Sequence, residues 1–163
     1  MNKILLILIP LLLNVYAITK SPKKIEWQDN IYPIKNANIS SGFGARKNGR
    51  FHWGIDFSAP TGTPVIAPVD MEIEKIGWSE NHGRYIIAKD EDNFYYLFAH
   101  LSTVNKLENK TILQGDVIGS VGSTGYAFGP HLHYEIYFNG VYFNPIDFSK
   151  KNFKLEKTES EFF

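Results

Sequence analysis

The chain has 163 residues, 44% hydrophobic and 15% aromatic, which supplies enough apolar material for one domain core and argues against disorder. Its 17 basic and 17 acidic side chains balance, so charge gives no drive toward nucleic acid or an anionic membrane surface. With no cysteine, disulfides, thiolate metal sites and cysteine nucleophiles are excluded.

At the N-terminus Lys3 precedes an apolar run over residues 4–15, interrupted by Pro10 and Asn14, and Val15-Tyr16-Ala17 puts small residues at the −3 and −1 positions. This pattern predicts an export signal over residues 1–17, cleaved after Ala17. The run is too short to span a bilayer, which needs roughly 20 apolar residues. Residues 18–38 read as a polar lead-in carrying Pro22 and Pro33, and residues 149–163 as a polar tail. Between them, residues 39–148 form the expected domain. Residues 65–76 are rich in β-branched side chains after the Thr61-Gly62-Thr63-Pro64 turn. Residues 84–89 and 94–100 flank the acidic turn 90–93, a hairpin signal. Residues 131–138 and 141–143 flank Asn139-Gly140, the favoured pair for a two-residue hairpin turn. No segment longer than about ten residues carries the 3.6-residue apolar period of a helix. The expected fold is mainly β: a single domain on antiparallel sheet, with short hairpins and long loops.

The five histidines, His52, His82, His100, His131 and His133, carry the chemical signal. His52-Trp-Gly-Ile-Asp56 sets an imidazole and a carboxylate four residues apart, and in an extended segment these share a face. His131-Leu-His133 is an i, i+2 pair on one strand face. Along that strand His131, His133, Glu135 and Tyr137 face one way, while Leu132, Tyr134, Ile136 and Phe138 face the core. Two histidines and one aspartate match the three protein ligands of a catalytic zinc site. Zinc would activate a water and polarise an amide carbonyl, and the remaining histidines, His100 and one of the 131/133 pair, could move protons. His82, in the Asn81-His82-Gly83 turn, is expected at the cleft rim with no metal role.

Seven segments in order resemble the M23 peptidases, the lysostaphin-like or LytM-type zinc endopeptidases. They are Ser41-Gly-Phe-Gly-Ala-Arg46, His52-Trp-Gly-Ile-Asp56-Phe, Ala59-Pro-Thr-Gly-Thr-Pro-Val65, Ala99-His100-Leu101, Gly115-Asp-Val-Ile-Gly119 with Gly122-Ser-Thr-Gly125, Gly129-Pro-His131-Leu-His133-Tyr-Glu135, and Asn144-Pro145. The resemblance implies His52, Asp56 and His133 as ligands of one Zn2+ per chain, with His131 as general base. It sets His100 beside His131, orienting water or stabilising the oxyanion; which of the two accepts the proton stays open. Glu135 is either a partner behind the ligands or a rim charge, and Arg46 either holds a substrate carboxylate or pairs with a surface acid. Phe98 stands where many relatives carry Tyr, which would remove a hydroxyl near the cleft. The implied activity is hydrolysis of cross-linking peptide bonds in the stem peptides of peptidoglycan. The expected setting is a periplasmic monomer with an open cleft and no mature transmembrane segment; secretion or wall association is the second choice, and a regulatory or scaffold protein a possible partner. The competing reading is a non-catalytic LytM-like module that binds and activates a cell-wall amidase.

Overall fold

The computed structural model describes residues 32–105 and 111–150, with side chains through Phe148. The expected signal, most of the lead-in and the tail beyond residue 150 lie outside the described residues. Thirteen strands and one short helix make up the described chain, and every strand pairing is antiparallel, as expected.

The main sheet runs in the order β1 (Asn38–Ser41), β4 (Ile55–Ser58), β12 (His131–Phe138), β8 (Tyr95–Ala99), β7 (Gly83–Lys89), β6 (Met71–Ser79) and β10 (Thr111–Ile112), with β13 (Val141–Phe143) also paired to β12. A smaller sheet orders β5 (Pro64–Ile66), β11 (Val117–Val121) and β9 (Leu101–Val104), and β2 (Gly44–Ala45) pairs with β3 (Phe51–His52). Both predicted hairpins form, as β7–β8 and β12–β13. In the second turn Asn139 and Gly140 both take positive φ, 48° and 76°, as a type I′ turn requires. In the first, buried Asp90 acts as an internal brace: its carboxylate accepts the N–H groups of Asp92 and Phe94 and the Tyr96 hydroxyl at 2.7 Å.

The alternation along β12 organises the interior. Leu132, Tyr134 and Ile136 are buried in the core with Ile55, Phe57, Ile86, Tyr96 and Phe98, while His133 and Glu135 occupy the opposite face. That second face is itself lined by Tyr85, Leu97 and Ala99, so the two polar side chains sit in a largely apolar surround. Phe98 faces the core beside Tyr134, with ring centroids 5.3 Å apart, so the hydroxyl its identity removes is not at the cleft as expected.

Two segments differ from the sequence reading. Residues 65–76 are two strands in different sheets rather than one run. Pro68 has no N–H to give a ladder, and the backbone of Ala67 bonds to Asp116 and Gly115 instead. The packed unit also begins before residue 39: Ile34 is 2% exposed, the Pro33 carbonyl accepts the Ile66 N–H, and Tyr32 meets Phe57 edge-on at 5.6 Å. At the other end Asn144 caps α1 (Pro145–Lys150) by accepting the Ile146 N–H, and Phe148 packs against Phe94 and Phe143.

Candidate metal centre

His52 and Asp56 do not share one strand as the spacing suggested. His52 ends β3, Trp53-Gly54 turns the chain, and Asp56 lies in β4. Gly54 permits this route, because a Cβ there would overlap the Tyr134 carbonyl of β12. The β4–β12 register places Asp56 directly opposite His133, and the two share the polar face. One ring nitrogen or oxygen from each residue then converges. His52 Nε2 lies 3.1 Å from Asp56 Oδ1 and 3.1 Å from His133 Nδ1, and His133 Nδ1 lies 2.8 Å from Asp56 Oδ1.

The opposite nitrogen of each ligand-type histidine is already committed. His52 Nδ1–H donates to the Gly42 carbonyl at 2.7 Å, and His133 Nε2–H donates to Glu135 at 2.8 Å. These bonds orient both rings and direct His52 Nε2 and His133 Nδ1 at the shared point. Glu135 is 6% exposed and lies behind the His133 ring rather than at the rim. Without a cation, a proton on His133 Nδ1 serves the same acceptors. Burial opposes its charge, but hydrogen bonds donated to the Asp56 and Glu135 carboxylates, with their negative charge, outweigh that and raise the His133 pKa to about 9. Burial pushes Asp56 up as well, yet the hydrogen bonds and charges of His133 and His52 hold its carboxyl well below the usual range. Three donors this close, two imidazoles and a carboxylate with their outer atoms fixed, fit a four-coordinate ion with bonds of about 2.0–2.2 Å.

His100 and His131 stand beside this cluster with ring centroids 4.5 Å apart. His100 Nδ1–H donates to Thr124 O and His131 Nδ1–H to Gly129 O, each at 2.8 Å, which leaves both Nε2 atoms as acceptors. His131 Nε2 is 4.0 Å from Asp56 Oδ1. Burial lowers the His100 pKa to about 4, so this ring is neutral at pH 7. It joins β8 to β9 at φ +62°, a left-handed conformation that costs a non-glycine residue free energy, and its ring meets His131 and His133. The turn at residues 79–83 secures it: the His82 carbonyl accepts the His100 N–H at 2.8 Å.

Arg46 donates to Ser41 Oγ and to the Gly42 carbonyl, the same carbonyl that accepts from His52, and no described acid pairs with it. It thereby braces the loop that orients His52. His82, half-buried, lies close behind the candidate ligands. Its ring stacks on His133 with centroids 6.1 Å apart, and burial lowers its pKa. Nothing in the Asn81-His82-Gly83 turn signals this, since the β12 face that His82 meets is more than forty residues away along the chain.

The sequence model of peptidase family M23 matches residues 50–145. Over 122 residues the chain is 42% identical to the DD-carboxypeptidase/endopeptidase Mpg of Neisseria meningitidis serogroup B, covering 72% of this chain and 28% of that protein. It is 34% identical over 119 residues to the peptidoglycan DD-endopeptidase ShyC of Vibrio cholerae serotype O1, covering 69% of this chain and again 28% of the relative. This chain therefore matches under a third of the length of these curated relatives. Among solved structures, the catalytic domain of lysostaphin from Staphylococcus simulans superposes with a TM-score of 0.65 at 33% identity, covering 71% of this chain and 94% of that one. The antiparallel fold, the convergent His52–Asp56–His133 donors and these matches agree: the chain belongs to peptidase family M23.

Proposed function

We propose that this chain is an exported zinc endopeptidase that hydrolyses cross-linking peptide bonds in peptidoglycan. The observation that carries the reading is the convergence of His52 Nε2, Asp56 Oδ1 and His133 Nδ1 within 3.1 Å, with His131 and His100 alongside. The substrate class is supported by relatives named as DD-endopeptidases, one of them for peptidoglycan. Export is supported by the signal-like residues 1–17. Among the described residues no helix is long and apolar enough to cross a membrane.

When bound, zinc supplies a Lewis acid that polarises a peptide carbonyl and acidifies a water. Zinc is the reading for two imidazoles and one carboxylate because that set is common at catalytic zinc sites and suits a tetrahedral ion. His52, Asp56 and His133 hold the ion, and Glu135 and the Gly42 carbonyl keep the two imidazoles aimed. His131 and His100 each spend Nδ1 on a backbone carbonyl and present Nε2 to the site, so the pair accepts a proton from the attacking water and returns one to the departing amine. Exposed aromatics neighbour two of the site histidines along the chain. Trp53, 49% exposed, adjoins His52, and Phe128, 92% exposed, lies on the loop that leads into His131. Both offer apolar contact to an extended peptide.

The test is mass spectrometry of purified peptidoglycan digested with the protein, with and without a chelator. Conversion of cross-linked dimers to monomers, abolished by the chelator, supports the reading. Unchanged fragments from folded, zinc-loaded protein refute it and move the weight to an amidase-activating module.

A further inference from the structure

His133 faces two acid–histidine pairs, one on each ring nitrogen. On the Nδ1 side stand His52 and Asp56. On the Nε2 side stand Glu135, 2.8 Å away, and His82, and the ligand-type atoms of His82, His133 and Glu135 all lie within 4.8 Å of one another. The donor set is thus repeated: two imidazoles and one carboxylate on either side of a shared ring. The second set is also the more enclosed, with Glu135 and His133 buried and His82 half-buried. The Ser79 hydroxyl accepts the His82 backbone N–H at 3.0 Å and fixes the turn that carries the ring.

We propose that His82, Glu135 and His133 Nε2 form a second position for a divalent transition-metal ion, an alternative to the His52–Asp56–His133 centre. The inference shares His133 with the proposed catalytic centre but does not need that centre to hydrolyse anything. A neutral imidazole has a single lone pair. When its proton is on Nε2, shared with Glu135, Nδ1 is free to bind an ion beside His52 and Asp56. When its proton is on Nδ1, shared with Asp56, Nε2 is free to bind an ion beside His82 and Glu135. The two positions therefore exclude one another, and the wild-type chain binds one ion in total. The first is the tighter, because all three of its donor pairs already lie within 3.1 Å, whereas in the second only the His133–Glu135 pair is that close by a hydrogen bond and His82 makes none to either. An ion in the second position leaves Asp56 and His52 without it and takes Glu135 from its ligand-orienting bond, so that form is loaded but inactive.

The experiment is a Co2+ titration, read by visible absorption and by competition with a chelator. It compares the wild type with His52→Ala/Asp56→Ala, which removes two donors of the first position, and with that double variant carrying His82→Phe. Phenylalanine keeps a ring against His133 and removes the nitrogen donors. The expected result is one cobalt per wild-type chain, one per double-variant chain at least tenfold more weakly, and a further loss of tenfold or more with His82→Phe. The proposal is overturned if the double variant, folded by near-ultraviolet circular dichroism, binds no cobalt. It is equally overturned if His82→Phe leaves that binding unchanged. Equal cobalt affinity in the wild type and the double variant would keep the second position and sink the first as a metal centre; binding in the wild type alone would do the opposite.

Discussion

Acidification is expected to drive the metal from its centre well above the pH at which the carboxylates titrate. The residue responsible is His133. With no cation, its pKa is about 9, because Asp56 and Glu135 both stabilise the imidazolium against the cost of burial. An ion on Nδ1 must displace that proton, so binding releases one proton per chain wherever the metal-free imidazole is charged. At pH 7 the ring is about two pKa units on the protonated side, which lowers apparent affinity ~100-fold, about 3 kcal/mol, relative to the plateau above pH 9. Asp56 adds nothing to this slope, since its carboxyl stays ionised throughout. The assay is chelator competition at several pH values between roughly 6.5 and 8.5. It is paired with calorimetry in buffers of different ionisation enthalpy, which counts the protons. The log of the affinity is expected to rise by about one per pH unit with close to one proton released. A flat affinity, or no proton release near pH 7, would refute the account of His133 as a site where proton and metal compete. The same raised pKa gives the metal-free protein stability that is complete below the ordinary imidazole value of 6.5 and lost as pH rises through about 9.

Four substitutions test other parts of the arrangement. His100→Ala and His131→Ala are each expected to leave metal stoichiometry at one per chain while lowering kcat by about 10²–10⁴-fold, checked by elemental analysis beside turnover on cross-linked muropeptides. Gly54→Ala forces a methyl into the Tyr134 carbonyl and is expected to destabilise the fold by about 1–3 kcal/mol, read by denaturant titration, and to weaken metal binding by displacing His52 from Asp56. Asp90→Asn removes the charge that accepts the Tyr96 hydroxyl and two turn N–H groups. It is expected to cost about 1–3 kcal/mol with kcat unchanged once folded, since this hairpin turn lies away from the metal centre; a large loss of kcat at full folding would show that the β7–β8 turn reaches the site.

Much of this could be read along the chain. The two hairpins announce themselves through turn chemistry, Asp90 to Asn93 and Asn139-Gly140, flanked by strand-forming residues. The β12 alternation separates core from site residue by residue, because strand side chains have a period of two. Where local signals competed, the reading failed. Residues 65–76 have the composition of one strand, but Pro68 and the bonds of Ala67 to the 115–116 turn split them. The bonds of Arg46 to Ser41 and the Gly42 carbonyl have no local signal either. Tyr32 and Ile34 precede the expected domain start, and the packing of this segment depends on distant partners: Phe57 meets the Tyr32 ring and Ile66 bonds the Pro33 carbonyl.

The chain's local patterns carried the β class, the hairpins, the polar face of β12 and, through ordered motifs, the residues proposed as the ligand set and the proton-moving pair. Those properties are local, or depend only on which residues lie within a few positions of one another. Tertiary structure alone decided the outcome for His52 and Asp56, which reach one point from two different sheets through the Gly54 turn. It alone oriented the rings, since Gly42, Thr124, Gly129 and Glu135 supply the acceptors that turn each one. It alone brought His82 against His133, because strand register, which no local pattern encodes across fifty residues, sets what lies opposite what.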